Sequence, residues 1–224
     1  MQGFGNRNVF SPADDPVFGI GAARQWLVNE FTRVGNGRLQ VALQEFPLFF
    51  NGFAATPQNV LATLPGRVPS NDLIVIIAHY DNRAADPTDG ESYAPGANDN
   101  GSGIALLLES ARLLSAYEWN QTIVFLAVAA EEQGTFGSRH FVQTAFLDSK
   151  NIIAAINYDG VGGRPGVPHY ARLFAPNLRE SPSGELARYY EYIAGLYVPA
   201  FPVQVIDALD REGRWGDHRE FVNA

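Results

Sequence analysis

The stretch Leu73–Asp81, LIVIIAHYD, decides how this chain is read. Its first six residues are apolar and rich in β-branched types, without polar alternation, as in a strand buried on both faces of a parallel sheet. The run then stops in His79, Tyr80 and Asp81. Two further runs behave alike: TIVFLAVAA (122–130) leads into Glu131 and Glu132, and IIAAINY (152–158) leads into Asp159. Helical patterns separate them. SGIALLLESARLL (102–114) follows a Gly-rich turn and carries Ile104, Leu107, Leu108, Ala111 and Leu114, and GSRHFVQTAFL (137–147) follows the second run. SPSGELARYYEYIAGL (181–196) opens with Ser181 as N-cap and Pro182 at the first helical position. Strand alternating with helix is the grammar of an α/β sheet covered on both sides.

Ahead of this core, FGIGAARQWLVNEFTRV (18–34) places Ala23, Trp26, Leu27, Phe31 and Val34 near helical spacing and is expected to form an amphipathic helix. LQVALQEF (39–46) sets Leu39, Val41 and Leu43 against Gln40, Ala42 and Gln44, the pattern of a half-buried strand. NVLATLPG (59–66) is a second strand closed by a turn at Pro65 and Gly66. No repeat, low-complexity tract or internal boundary interrupts residues 1–224, which are read as one domain. The loops at 81–101 and 159–170 are long, polar and rich in Gly and Pro, a form often tied to function.

Composition narrows the classes. The 224 residues are 46% hydrophobic and 18% charged, which describes a globular chain and not a disordered one. The 24 acidic and 16 basic residues give a net charge of −8 with no Lys/Arg cluster, so nucleic acid is not an expected partner. With no cysteine, disulfides, zinc thiolates and a thiol nucleophile are excluded. No run reaches the roughly 18 apolar residues of a membrane helix. The start, MQGFGNRNVF, lacks the apolar core of a secretory signal, so the protein either stays inside or is a mature or trimmed piece of an exported one.

Three apolar strands thus end in ionisable groups, and in open α/β sheets ligands bind beyond the carboxyl ends of the strands. Asp99, in GANDNGSG just before a helix, folds back over the same edge. One His among several carboxylates, without Cys or Lys, is a cation site by its chemistry: the carboxylates repel one another until a divalent ion joins them. His with Asp and Glu suits zinc and related first-row ions. In His79-Tyr80-Asp81 the first and third residues of a strand share a side, so His79 can bind the metal while Asp81 holds its other ring nitrogen. The neighbours Glu131 and Glu132 point in different directions, which suits Glu132 as ligand and Glu131 as general base. Asp99 is the natural carboxylate to bridge two metals. Each piece alone fits a capped turn or a solvated pair; it is their combination that points to a metal site.

The pieces NVLATLPG, IIAHYD, PGANDNGSGIALLLE, FLAVAAEEQGTFGSRHFV, INYDGVG and GDHREF together resemble the M28 family of zinc aminopeptidases, the bacterial leucyl-type group. Order and gaps match over most of the chain, most strongly from about 59 to 160. The resemblance implies a three-layer α/β/α sandwich with a mostly parallel mixed central sheet. It implies one zinc held by His79, Asp99 and Asp159 and another by Asp99, as bridge, and Glu132. Glu131 matches the family's general base, Asp81 its partner for the His ligand, and Asp99–Asn100 a cis peptide. By chemistry alone His218 would be the last ligand. In the family that ligand lies in a later His-Thr-x-x-Asp segment, and Asp217–His218 matches a pair near the metals. The resemblance therefore implies a chain trimmed at both ends, lacking a last strand, a last helix and one ligand, and holding only one zinc firmly. His140 and His169 have no ligand counterpart and read as surface residues. The expected substrates are peptides with a free N-terminus, and family members are frequently exported. A single-zinc glutaminyl cyclase and a non-catalytic binding domain on the same scaffold are the alternatives.

Overall fold

The structure is a computed structural model that describes residues 1–163 and 165–224; Arg164, within the loop expected at 159–170, lies outside the described residues. The strands are β1 (Gln40–Glu45), β2 (Leu48–Phe50), β3 (Phe53–Ala55), β4 (Gln58–Leu64), β5 (Asp72–His79), β6 (Thr122–Val128), β7 (Asn151–Asn157), β8 (Ala171–Phe174) and β9 (Val203–Ile206). The α-helices are α1 (Gly19–Gly35), α2 (Gly101–Leu114), α3 (Phe136–Leu147), α4 (Pro182–Tyr197) and α5 (His218–Val222). No helix among the described residues is long and apolar enough to cross a membrane.

The central sheet runs β1-β4-β6-β5-β7. β4 is antiparallel to both β1 and β6, whereas β5 is parallel to β6 and β7, so β4 alone runs against the others. The continuous apolar runs are explained by burial on two sides. Ile76 and Ala78 of β5, with Ile123, Phe125 and Ala127 of β6, join the core under α1 and α2. Their alternates Leu73, Val75 and Ile77, with Val124, Leu126 and Val128, pack on the other face against Phe141 and Val142 of α3 and Phe221 of α5. This is the expected α/β/α sandwich.

The amphipathic helix forms as expected, with Ala23, Leu27 and Phe31 of α1 fully buried. Ser181 accepts a hydrogen bond from the Gly184 amide at 2.9 Å and caps α4 behind Pro182. The pattern of β1 holds less well. Val41 packs on the core, but Leu43, further along this edge strand, remains 48% exposed. The hairpin β2–β3 and the parallel pair β8–β9 went unread in the sequence: strands of three and four residues are too short to show alternation.

Candidate metal centre

β5 lies between β6 and β7, and all three point the same way. His79 stands level with Val128, and the Tyr158 amide donates to the Ile77 carbonyl at 2.8 Å, so the chain leaves all three strands at one edge. There His79 Nε2 lies 3.2 Å from Asp99 Oδ1, 3.7 Å from Asp159 Oδ1 and 4.0 Å from Glu131 Oε2. One donor atom each from His79, Asp99 and Asp159 falls within 4.8 Å of the others. His79 Nδ1 lies 3.2 Å from the Asp81 carbonyl and 3.5 Å from its carboxylate. A carbonyl can only accept, so Nδ1 carries the hydrogen and Nε2 is presented to the carboxylates.

Asp81 does more than the sequence suggested. Its fully buried carboxylate also accepts the backbone amides of Glu131, at 3.3 Å, and Glu132, at 3.2 Å. One side chain therefore fixes both the imidazole and the turn that carries the glutamates. That turn is held at its ends by Asn59 of β4, whose side chain accepts from the Ala129 amide at 3.1 Å and donates to the Gly137 carbonyl at 2.9 Å. Nothing local in the sequence marks Asn59, because its partners lie far along the chain. A comparable tie orders Asp99. The Asp99–Asn100 peptide is cis, as expected. The Asn100 side chain caps α2 through the Gly103 amide at 3.0 Å, donates to the Tyr158 carbonyl at 2.8 Å and accepts from the Gly160 amide at 3.2 Å. Asp99 and Asp159 are thus pinned to each other through the residue beside each.

The remaining expected residues sit differently. Glu132 lies 3.8 Å from Arg83 Nε, and Asp159 Oδ2 lies 3.2 Å from Arg211 Nη2; neither arginine was read from the sequence. Asp217 is fully buried, and neither of its carboxylate oxygens has a hydrogen-bond partner among the described residues. His218 stands outside the His79–Asp99–Asp159 cluster, though near enough to act on Asp159: its Nε2 lies 2.7 Å from the Leu209 carbonyl and 3.7 Å from Asp210 Oδ2. His140 stacks on Phe46 at 5.3 Å and His169 is exposed.

Six carboxylates, those of Asp81, Asp99, Glu131, Glu132, Asp159 and Asp217, crowd one imidazole, with Arg83 beside Glu132, Arg211 beside Asp159 and the buried Arg7 guanidinium close enough to act on Asp81, Asp99 and Glu132. Burial pushes Glu131 well up, and Asp217, Asp81 and Glu132 add to it against the opposing pull of His79. Burial likewise raises Glu132 to about 7, reinforced by Asp81. It raises Asp217 as well. Burial opposes charge on His79, yet Glu131, Asp159, Asp81 and Asp99 outweigh it and raise the imidazole well above its ordinary value. Asp159 goes the other way: burial would raise it, but His79 and Arg211 bring it below the usual carboxylate range. Carboxylates crowded around an imidazole whose Nε2 faces Asp99 and Asp159 fit a divalent ion of the zinc type.

These shifts carry a pH dependence. Glu131, Glu132, Asp217 and His79 all hold protons more tightly folded than unfolded, so the native metal-free protein binds more protons between the unfolded and folded values. Its stability is greatest in mild acid and falls as pH rises from about 5 to 8, by about 1.4 kcal/mol per pH unit for each extra proton held. Thermal unfolding of the chelated protein across that range should show this fall, and a melting temperature that rises with pH there would contradict the electrostatics described.

Comparison with known proteins bears on the family and the fold. The family model for peptidase family M28 matches residues 59–224. A probable zinc metalloprotease of Pyricularia oryzae is 35% identical over the whole of this chain and 51% of its own length; the chain spans about half the length of the curated relatives it matches. Among solved structures, the LapA aminopeptidase of Legionella pneumophila has a TM-score of 0.72 at 22% identity, covering 99% of this chain and 55% of its own. A glutaminyl cyclase from an Acidobacteriales bacterium has a TM-score of 0.71 at 19% identity, covering 99% of this chain and 71% of its own. At these identities the two structures speak for the fold alone.

Proposed function

The chain belongs to peptidase family M28, and from that premise we propose that it is a metal-dependent aminopeptidase that hydrolyses the N-terminal bond of peptides. The observation that carries the reading is the position of Glu131, whose Oε2 lies 4.0 Å from His79 Nε2, beside the His79–Asp99–Asp159 group and not within it. In this reading His79, Asp99 and Asp159 would hold one zinc, and Asp99 with Glu132 would hold a second. Zinc, when bound, polarises the scissile carbonyl and eases deprotonation of water. Glu131 accepts the proton of the attacking water as general base. Asp81 aims both parts: it orients the His79 ring and, through two amides, the turn bearing Glu131.

The test is hydrolysis of amino-acyl anilides by the zinc-loaded protein, run beside cyclisation of peptides with N-terminal Gln. Release of the anilide supports the aminopeptidase reading. Cyclisation without release would replace it with the single-zinc glutaminyl cyclase reading. Neither reaction from a zinc-bound protein would leave a binding domain.

A further inference from the structure

Arg7 is the largest fully buried side chain among the described residues, and no role has been given to it above. A buried guanidinium is costly unless its donors are satisfied. Here Nε donates to the Tyr80 carbonyl at 2.8 Å, Nη1 to the Pro95 and Met1 carbonyls at 2.9 and 3.2 Å, and Nη2 to the Gly96 carbonyl at 3.0 Å. Its backbone amide donates to the Asn82 side chain at 2.7 Å, and that side chain in turn donates to the Ala94 carbonyl. Tyr80 sits between His79 and Asp81, and Gly96 stands three residues before Asp99. Arg7 therefore grips both ends of the loop that joins the imidazole to the proposed bridging carboxylate.

Gly96 is shaped to this contact. Its φ is +47°, and a Cβ there would lie 2.7 Å from Arg7 Nη2 and 2.7 Å from the Asp99 carbonyl oxygen. The Gly96 carbonyl also accepts the Gly101 amide at 3.0 Å, closing the loop around Asp99 and Asn100. A planar fork with five donors can hold carbonyls on two segments at once; an ammonium with three donors on a flexible stem cannot reproduce the arrangement.

We propose that Arg7 is a positioning residue of the metal centre, setting Asp99 at its distance from His79. This rests on the metal-site reading above, and the test separates the two. Apparent zinc affinity is measured by chelator competition for the wild type, Arg7→Lys, Gly96→Ala and, as a control, Leu27→Ala in the buried face of α1, each beside the melting temperature of its metal-free form. Arg7→Lys and Gly96→Ala are expected to weaken zinc binding about 10–100-fold, as loss of an outer support does, whereas Leu27→Ala lowers the melting temperature and leaves the affinity within about twofold, since it lies outside the centre. Wild-type affinity in a folded Arg7→Lys protein would overturn the proposal. So would a loss in Leu27→Ala as large as in the other two, because affinity would then follow global stability. An Arg7→Lys protein that does not fold would assign Arg7 to the fold as a whole and equally end the proposal. A wild type that binds no zinc would remove the metal site itself.

Discussion

On the function proposed above, Glu131→Gln is expected to remove hydrolysis and leave zinc in place. The expected loss in kcat is about 10²–10⁴-fold, the usual contribution of a positioned general base, with bound zinc at the wild-type level by elemental analysis. The amide keeps the size and most hydrogen bonds of the carboxyl group but cannot take a proton. The turn survives because its supports are elsewhere: the Glu131 amide is held by Asp81, and its carbonyl by the amides of Gly134 and Thr135 at 2.8 and 3.0 Å. The metal-free variant should also lose part of the stability gained in mild acid, since one of the proton-holding groups is gone. Zinc loss alongside activity loss would make Glu131 a ligand and overturn the assignment.

Asp99→Ala is expected to reduce the affinity for both zinc ions by more than the ~10–100-fold that follows loss of a supporting hydrogen bond, and to abolish activity. Asp99 offers the oxygen nearest to His79 Nε2, at 3.2 Å, and its side chain is 54% exposed, so little packing is lost with it. The fold around it is held by Asn100, whose side chain makes the cap of α2 and the tie to Tyr158. Zinc stoichiometry and affinity of the variant decide the matter: one ion retained at full affinity would mean that Asp99 does not bridge.

Much of this was legible in the sequence because the signals were local. The three apolar runs are continuous since both faces of β5 and β6 meet a helical layer, and the ionisable residues follow at once because the strands are parallel and end at one edge. The same logic placed His79, Asp81, Asp99, Glu131 and Asp159 together. Glu132 was expected as a ligand and has Arg83 beside it, and His218 proved to address the Leu209 carbonyl. Neither partner follows from spacing, for Arg83 lies in an irregular loop and Leu209 in a segment without periodicity. Asn59, Arg7 and Arg211 were missed for a related reason. Each works through atoms more than fifty positions away, and a polar residue inside or near a strand carries no local mark of what it will meet.

The supports of the centre have a bearing on how the chain folds. Arg7 reaches Tyr80 and Gly96 across separations of 73 and 89 residues, Asn59 reaches Ala129 across 70, and Asn100 reaches Tyr158 across 58. Each such contact requires a large loop to be closed first, and a growing chain that has passed β5 but not β7 lacks Asp159 and the partners of Asn100. On the metal-site reading proposed above, capture of an ion belongs to the folded chain and not to its nascent pieces.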